Sequence, residues 1–399
     1  MAIHAGVAIS KNTDSYQAGS DAARGALDQL KGQKPDFFIA FASVALDQDE
    51  MLRGIRDAGG GAPVVGCSDA GEITNEGPAQ KSVGVMAVKS DTIMVTIGRV
   101  DEAQKDGRER GRTLAREIQA ASTAPPRIIM MFPDVLTANG MDVVRGVTDI
   151  MGEHFPVVGG AAGDDFLFEK TYQYAGDRVI AGSVTGAGLA GQFSAAVGVR
   201  HGWIPIGVPM RVTKSKGAVV FEIDHKPAIR IYEEYFGKEA QDMRKEPLAR
   251  VAITYPLGIK ISDMDEYLIR DPITVDEQGA ITCAAEIPEG SEIRLMIGSR
   301  EKAIDAARDA ARHVMDDFKA QNAAPKFMLM FNCIAREKLF GMRAHEEIDA
   351  VMDIIGRDVP LLGFYTYGEI APVRGEMRLS DQIRAGFYNE TMVLLGVGE

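Results

Sequence analysis

Three stretches of the chain end an aliphatic run and a pair of glycines with a carboxylate. They are Ala62–Ile73, Phe155–Asp165 and Val359–Ile370. In each, a proline is followed three residues on by one glycine and seven or eight residues on by another. The acids Glu72, Asp164 and Glu369 come directly after Gly71, Gly163 and Gly368. Pro-aliphatic-aliphatic-Gly suits a short buried strand, which accepts proline at its first residue. Glycine then permits backbone conformations closed to other residues, or a close approach by a ligand. A carboxylate at such a turn can hold an ammonium group, or simply cap the connection. Recurrence argues for more than a local turn, because internal periodicity marks a repeated structural unit.

A second group of residues follows an apolar run, in Phe331-Asn-Cys-Ile-Ala-Arg336. Open α/β sheets bind ligands at the carboxyl ends of their strands. There Asn332 offers a donor and an acceptor, and Arg336 a planar fork for a carboxylate or phosphate. Cys333 and Cys67 are nucleophiles only if a neighbour lowers their pKa, and no histidine stands beside either in sequence. Both read better as buried small side chains lining a pocket. With Ser68, Tyr365 and Tyr367, which sit inside the turns, these residues make up the candidate ligand-binding set. No two of the six histidines have metal-ligand spacing on one helix. A single histidine can still ligate haem iron, which makes His201 and His345 candidates. Gly186-Ala-Gly-Leu-Ala-Gly191 spells a dinucleotide fingerprint, but the residues after it alternate as a strand and no acid lies about 20 residues on.

The elements that must position these residues repeat in order. Val7–Ser10, Pro35–Ser43, Pro126–Phe132 and Lys326–Phe331 read as strands, the longer runs apolar enough to be buried on both faces. Helices are expected near 15–30, 50–58, 101–121, 139–152, 300–319 and 344–355. Paired strands over 82–88 and 92–100, and over 385–388 and 392–397, read as hairpins. The unit strand–helix–strand–helix–glycine turn–hairpin thus occurs three times, the third opening at Glu292–Ile297. The stretch 202–288 breaks the pattern, with a hairpin about Lys216-Gly217, a helix over 226–236 and strands over 251–261 and 281–285. The expected class is mixed α/β, with mostly parallel sheets flanked by helices. Two closely packed domains follow from the length: 1–220 with two units, and 221–399 with one unit and the insertion.

Composition sets the outer limits. The chain has 399 residues, is 46% hydrophobic and 25% charged, and carries a net charge of −13. That balance is globular and argues against nucleic acid or anionic membrane as a partner. No apolar run spans a bilayer and no secretory signal opens the chain. Three scattered cysteines make neither a disulfide framework nor a zinc pattern, which fits a reducing cytoplasm.

Taken together, Gly66–Ile73, Gly159–Asp165, Asn332–Arg336 and Gly363–Ile370 resemble the signatures of FIST proteins (F-box and intracellular signal transduction), with paired N- and C-terminal domains. His201–Gly207 with Val212-Thr213 resembles the end of the FIST N-terminal domain. Asp69 departs from the family, which usually has threonine there. The resemblance implies a non-enzymatic sensor that binds a small ligand, an amino acid or similar polar metabolite, and signals to a separate protein. It also implies an alternative, a haem-binding nitric oxide sensor acting on a histidine kinase. On the first reading Glu72 or Glu369 takes an ammonium and Arg336 a carboxylate. A thiol enzyme built on Cys333 or Cys67 is the third reading.

Overall fold

The computed structural model describes residues 2–100, 106–237, 254–260, 267–373 and 385–399. Five helices start at side-chain caps: Asp14, Asp47, Asp106, Asn139 and Ser299 each accept a backbone N–H three residues on. Such caps satisfy donors that a helix start leaves without partners. The expected helices appear as Ser15–Asp28, Gln48–Ala58, Gly107–Ala121, Gly140–Met151, Arg300–Ala320 and His345–Ile355, joined by the short Ile334–Phe340. A further helix, Arg230–Phe236, starts four residues later than expected because Lys226–Pro227 pairs with a strand. Residues 101–105, and parts of the expected 251–261 strand, lie outside the described residues.

Three sheets of six strands share one plan. In the first, the order is Ile3–Ser10, Val83–Ser90, Phe37–Ala42, Val64–Ser68, Tyr172–Gly176, Arg178–Ala181. In the second it is Ile93–Val100, Val184–Gly191, Pro126–Pro133, Val157–Gly160, Glu369–Pro372, Ala385–Tyr388. The third runs Ser194–Arg200, Met392–Gly398, Pro325–Cys333, Leu361–Thr366, Glu72–Thr74, Gly77–Ala79. The last two strands of every sheet come from another unit. Unit one completes sheet three, unit two completes sheet one, and unit three completes sheet two. This cyclic exchange makes the three units a ring with approximate threefold symmetry.

The mixed α/β class is as expected, but within each of these sheets one pair alone is parallel. The closing strand of each unit runs antiparallel to both strands it separates. The exchange also corrects the hairpins. Val83–Ser90 and Ile93–Val100 lie in different sheets, as do Ala385–Tyr388 and Met392–Gly398. Each turn leads from one sheet to the next, so neighbours in sequence do not pair.

A fourth sheet is wholly antiparallel and is built from residues 204–297. Glu292–Ile297 belongs to it. The opening strand of unit three is instead Ser194–Arg200, separated from its own helix by this insertion. A division at residue 220 falls within the strand Val219–Ile223.

The core sits on the approximate axis. Phe41, Phe132 and Phe331 occupy the same place in the three units, with ring centroids 5.5, 6.4 and 6.1 Å apart. Phe364 packs on all three. Met130, Met131, Met328 and Met330 are completely buried, as core methionines.

Candidate functional site

The exchanged strands begin at three matched positions. Glu72 pairs in register with Phe364, Gln173 with Cys67, and Glu369 with Gly160. Each accepts a backbone N–H from the residue before its own unit's closing strand. Ser82 N donates to Glu72 at 3.3 Å, Ser183 N to Gln173 at 3.0 Å, and Thr391 N to Glu369 at 3.1 Å. The preceding residues Lys81, Gly182 and Glu390 all have positive φ, of 54°, 62° and 59°. The repeated carboxylate or amide is therefore a staple between strands. Glu72 and Glu369 lie at zero exposure, and burial pushes both carboxyls up, Glu72 to about 7.

Asp164 is not the third member of that set. Gly163 matches Ala70 and Tyr367, because Gly163 N, Ala70 N and Tyr367 N each donate to the corresponding carbonyl of the next unit. Eight further residues intervene before Gln173. Asp164 instead accepts from Phe168 N, Glu169 N and Lys170 N at 2.8, 2.6 and 2.9 Å, and from the Tyr367 hydroxyl. It organises the loop that the insertion creates, where Asp165, Phe166 and Phe168 also take positive φ.

The other candidates are placed as follows. Ser68 Oγ donates to Gly163 O at 2.7 Å and accepts Tyr172 N at 2.8 Å. Gly71 N donates to Asp69 Oδ1 at 2.9 Å, and Gly368 N to Thr366 Oγ1 at 3.2 Å, so Asp69 does in its unit what threonine does in another. Cys67 and Cys333 are buried, and burial foremost raises both thiols, with nearby carboxylates adding to it. Asn332 donates to Glu347 at 2.8 Å, while its Oδ1 has no partner among the described residues. Tyr365 is buried with a hydroxyl lacking a partner there, and Tyr367 stacks on Phe168 at 4.6 Å. Arg336 is fully buried and its fork is filled. It binds Glu347 through Nε and Nη2, Ala303 O through Nη2, and His201 O and Glu390 O through Nη1. The turns thus cluster around the axis, bonded to one another.

One hollow among the described residues lies away from these turns. A cavity of about 280 Å³ opens where the inserted sheet meets units two and three. Its walls include Met141, Leu268, Phe387 and Tyr388, with Arg270 and Glu286 among the polar lining. His201 is the one residue of the candidate set that lines it. Arg270 and Glu286 escaped the sequence reading because both belong to the irregular insertion, Arg270 on a strand and Glu286 in a loop. The one available signal was a charge pair, Arg270-Asp271, at the end of an apolar strand and ahead of Pro272. Burial lowers the Arg270 guanidinium to about 10, so it stays charged at neutral pH.

The geometry does not suit His201 as a haem ligand. Its Nδ1 accepts Trp203 N at 2.9 Å. Burial, then Arg336 and Arg200, lowers the imidazole to about 4. The ring is therefore neutral with its proton on Nε2, and that nitrogen has no lone pair for iron. His345 is exposed at the start of its helix and does not line this cavity. Among the described residues no three His, Cys, Asp or Glu side chains form a metal group. No described helix is long and apolar enough to cross a membrane.

Comparison with known proteins places the chain in a class. It matches the FIST N domain over residues 36–226 and the FIST C domain over 228–372. This is a FIST-domain protein, with the two domains adjoining in one chain. The F-box part of the family name, haem and nitric oxide have no counterpart in these matches. An uncharacterized protein of Mycobacterium tuberculosis is 25% identical over 387 residues, covering 94% of this chain and 96% of its own. An uncharacterized protein of Methanocaldococcus jannaschii is 25% identical over 292 residues, covering 69% of this chain and 55% of its own. Among solved structures, a chorismatase aligns over 100% of both chains at 10% identity with a TM-score of 0.39. A cyanuric acid hydrolase from A. caulinodans aligns over 99% of both at 7% identity and 0.35. Likeness at that level carries no argument about activity.

Proposed function

We propose that the protein is a non-enzymatic cytoplasmic sensor that binds a small metabolite in the cavity between the inserted sheet and the threefold body. The observation that carries this reading is the cavity itself. It is enclosed by elements of separate origin: the end of Ser194–Arg200, the inserted strand Tyr267–Arg270, and the exchanged strand Ala385–Tyr388. Its volume sits near the low end of the roughly 300–1,000 Å³ of small-molecule sites, and apolar walls with a few fixed polar groups are their usual make-up. A ligand there touches both the insertion and the body. It favours whichever relative arrangement it fits better, which is how binding becomes a signal. A separate output protein, a histidine kinase being the candidate the family resemblance implies, then reads that arrangement.

The buried, raised thiols speak against cysteine catalysis, since a thiolate is the nucleophile. The axial turns hold their own carboxylates in internal bonds, which moves the candidate ligand site away from Glu72, Glu369 and Arg336. A thermal-shift screen against amino acids, organic acids and other small metabolites tests the reading. A stabilising compound that protects 267–270 and 385–388 from hydrogen exchange supports it. Stabilisation whose protection maps to 68–72 and 365–369 instead contradicts it.

A further inference from the structure

We infer that one proton, shared by Asp271 of the insertion and Glu390 of the threefold body, latches the two together, and that its loss at alkaline pH releases the joint beside the cavity. The test needs no ligand, so this inference can fail while the sensor reading stands.

The three units differ at one matched position. Lys81, Gly182 and Glu390 share a positive φ, and each precedes the residue whose N–H reaches Glu72, Gln173 or Glu369. Lys81 is exposed in unit one, and Gly182 has no side chain. Glu390 has zero exposure. Asp271 faces it from the corner between the inserted strands Tyr267–Arg270 and Pro272–Val275. Both backbones are pinned: Ala284 N donates to Asp271 O at 2.8 Å, and Arg336 Nη1 to Glu390 O at 3.3 Å. Arg270 and Thr391, their neighbours in sequence, line the cavity.

Among the described residues no other group donates to either Glu390 carboxyl oxygen or to Asp271 Oδ1. Two opposed, buried carboxylates repel, and a proton on one makes it a donor to the other. The groups around the pair are Arg270, Tyr232 and Cys283 from the insertion, and Arg336, Glu369 and Cys333 from the body. Burial raises Tyr232 and both thiols, so these stay neutral. The two guanidiniums favour one negative charge on the pair, and Glu369 opposes a second. Burial raises the Asp271 carboxyl to about 6 and the Glu390 carboxyl well above its ordinary range, which makes Glu390 the donor at neutral pH. When the joint opens, both carboxyls reach water and the proton passes to solvent. The closed joint therefore holds one proton more than the open one, and raising the pH favours opening.

The test is iodoacetamide labelling of Cys333, which lies beside the pair, on the full chain between about pH 7 and pH 9. Peptide mass spectrometry gives its rate in native protein relative to denatured protein at each pH, which removes the thiol's own ionisation. That ratio is expected to rise about tenfold per pH unit in wild type. Glu390→Gln puts an amide donor where the proton was, and should hold the ratio within about threefold across the range, because no proton is then released. A flat wild-type ratio overturns the inference without any variant having to fold. A wild-type slope that persists in Glu390→Gln moves the proton to another buried acid and overturns it as well.

Discussion

Arg336 and Glu347 form an ion pair with no solvent exposure on either side chain. Asn332 holds the second Glu347 oxygen, and three backbone carbonyls take the remaining guanidinium donors. The pair ties the inner strand of unit three to the Arg300–Ala320 and His345–Ile355 helices and to the first residues of the insertion. Breaking a buried pair by removing one partner costs about 3–5 kcal/mol, because the other charge is left stranded. Arg336→Met should lower the unfolding free energy from urea titration by that amount. Replacing both residues, in Arg336→Met with Glu347→Leu, should recover a large part of it. A single variant of wild-type stability would show that the pair is not the keystone it is taken to be.

Glu72 gives a pH prediction whose sign follows from its burial. Its carboxyl is raised from 4.5 to about 7, foremost by burial. A raised folded-state value adds stability that is complete below the unfolded value and is lost as pH climbs through the folded one. Wild type should therefore lose stability between about pH 4.5 and 7. Gln173 does the same bonding in unit two without a charge, so Glu72→Gln should fold and flatten that slope, gaining about 1–3 kcal/mol at pH 8. Denaturant titrations of both proteins at pH 5, 6, 7 and 8 check it. Parallel slopes would refute the assignment.

The buried thiols make a simpler prediction. Cys67, Cys283 and Cys333 are all sealed, and Cys283 is pushed up to about 12, mainly by burial. Native protein at pH 8 should take up no iodoacetamide over an hour, and three equivalents once denatured. Rapid labelling of Cys333 in the native state would reopen the thiol-enzyme reading.

Haem makes a contrasting case. With the His201 proton on Nε2, haem added to the protein should give the spectrum of free or nonspecifically bound haem. His201→Ala should leave that spectrum unchanged. A sharp Soret band lost in His201→Ala would show that the ring reverses its tautomer and that the Trp203 bond breaks.

Much of the repeat was legible because its signals are local. Helical periodicity, apolar strand runs and the Pro-to-Gly spacing each report on a few adjacent residues. Exchange of strands between units leaves no such mark. Val83–Ser90 followed by Ile93–Val100 reads as a hairpin whether or not the two pair, and only the packed sheets separate the cases. The same limit hid Gln173. An amide eight residues beyond its expected place does the work of Glu72 and Glu369, whereas Asp164, which fits the spacing, holds a loop. Arg336 was visible as a charge after a buried strand, yet its partner Glu347 lies on a separate helix. The cavity drew on Arg270 and Glu286, from an insertion with no period to read.

The central claim is that a small molecule occupies the space between the inserted sheet and the threefold body. The most direct test is calorimetric titration of the best stabilising metabolite into wild type and into Leu268→Trp, which fills the cavity wall from the insertion side. Binding at one site per chain in wild type, and at least tenfold weaker binding in a folded Leu268→Trp, is the predicted result. Equal affinity in the two proteins would contradict it and place the ligand elsewhere.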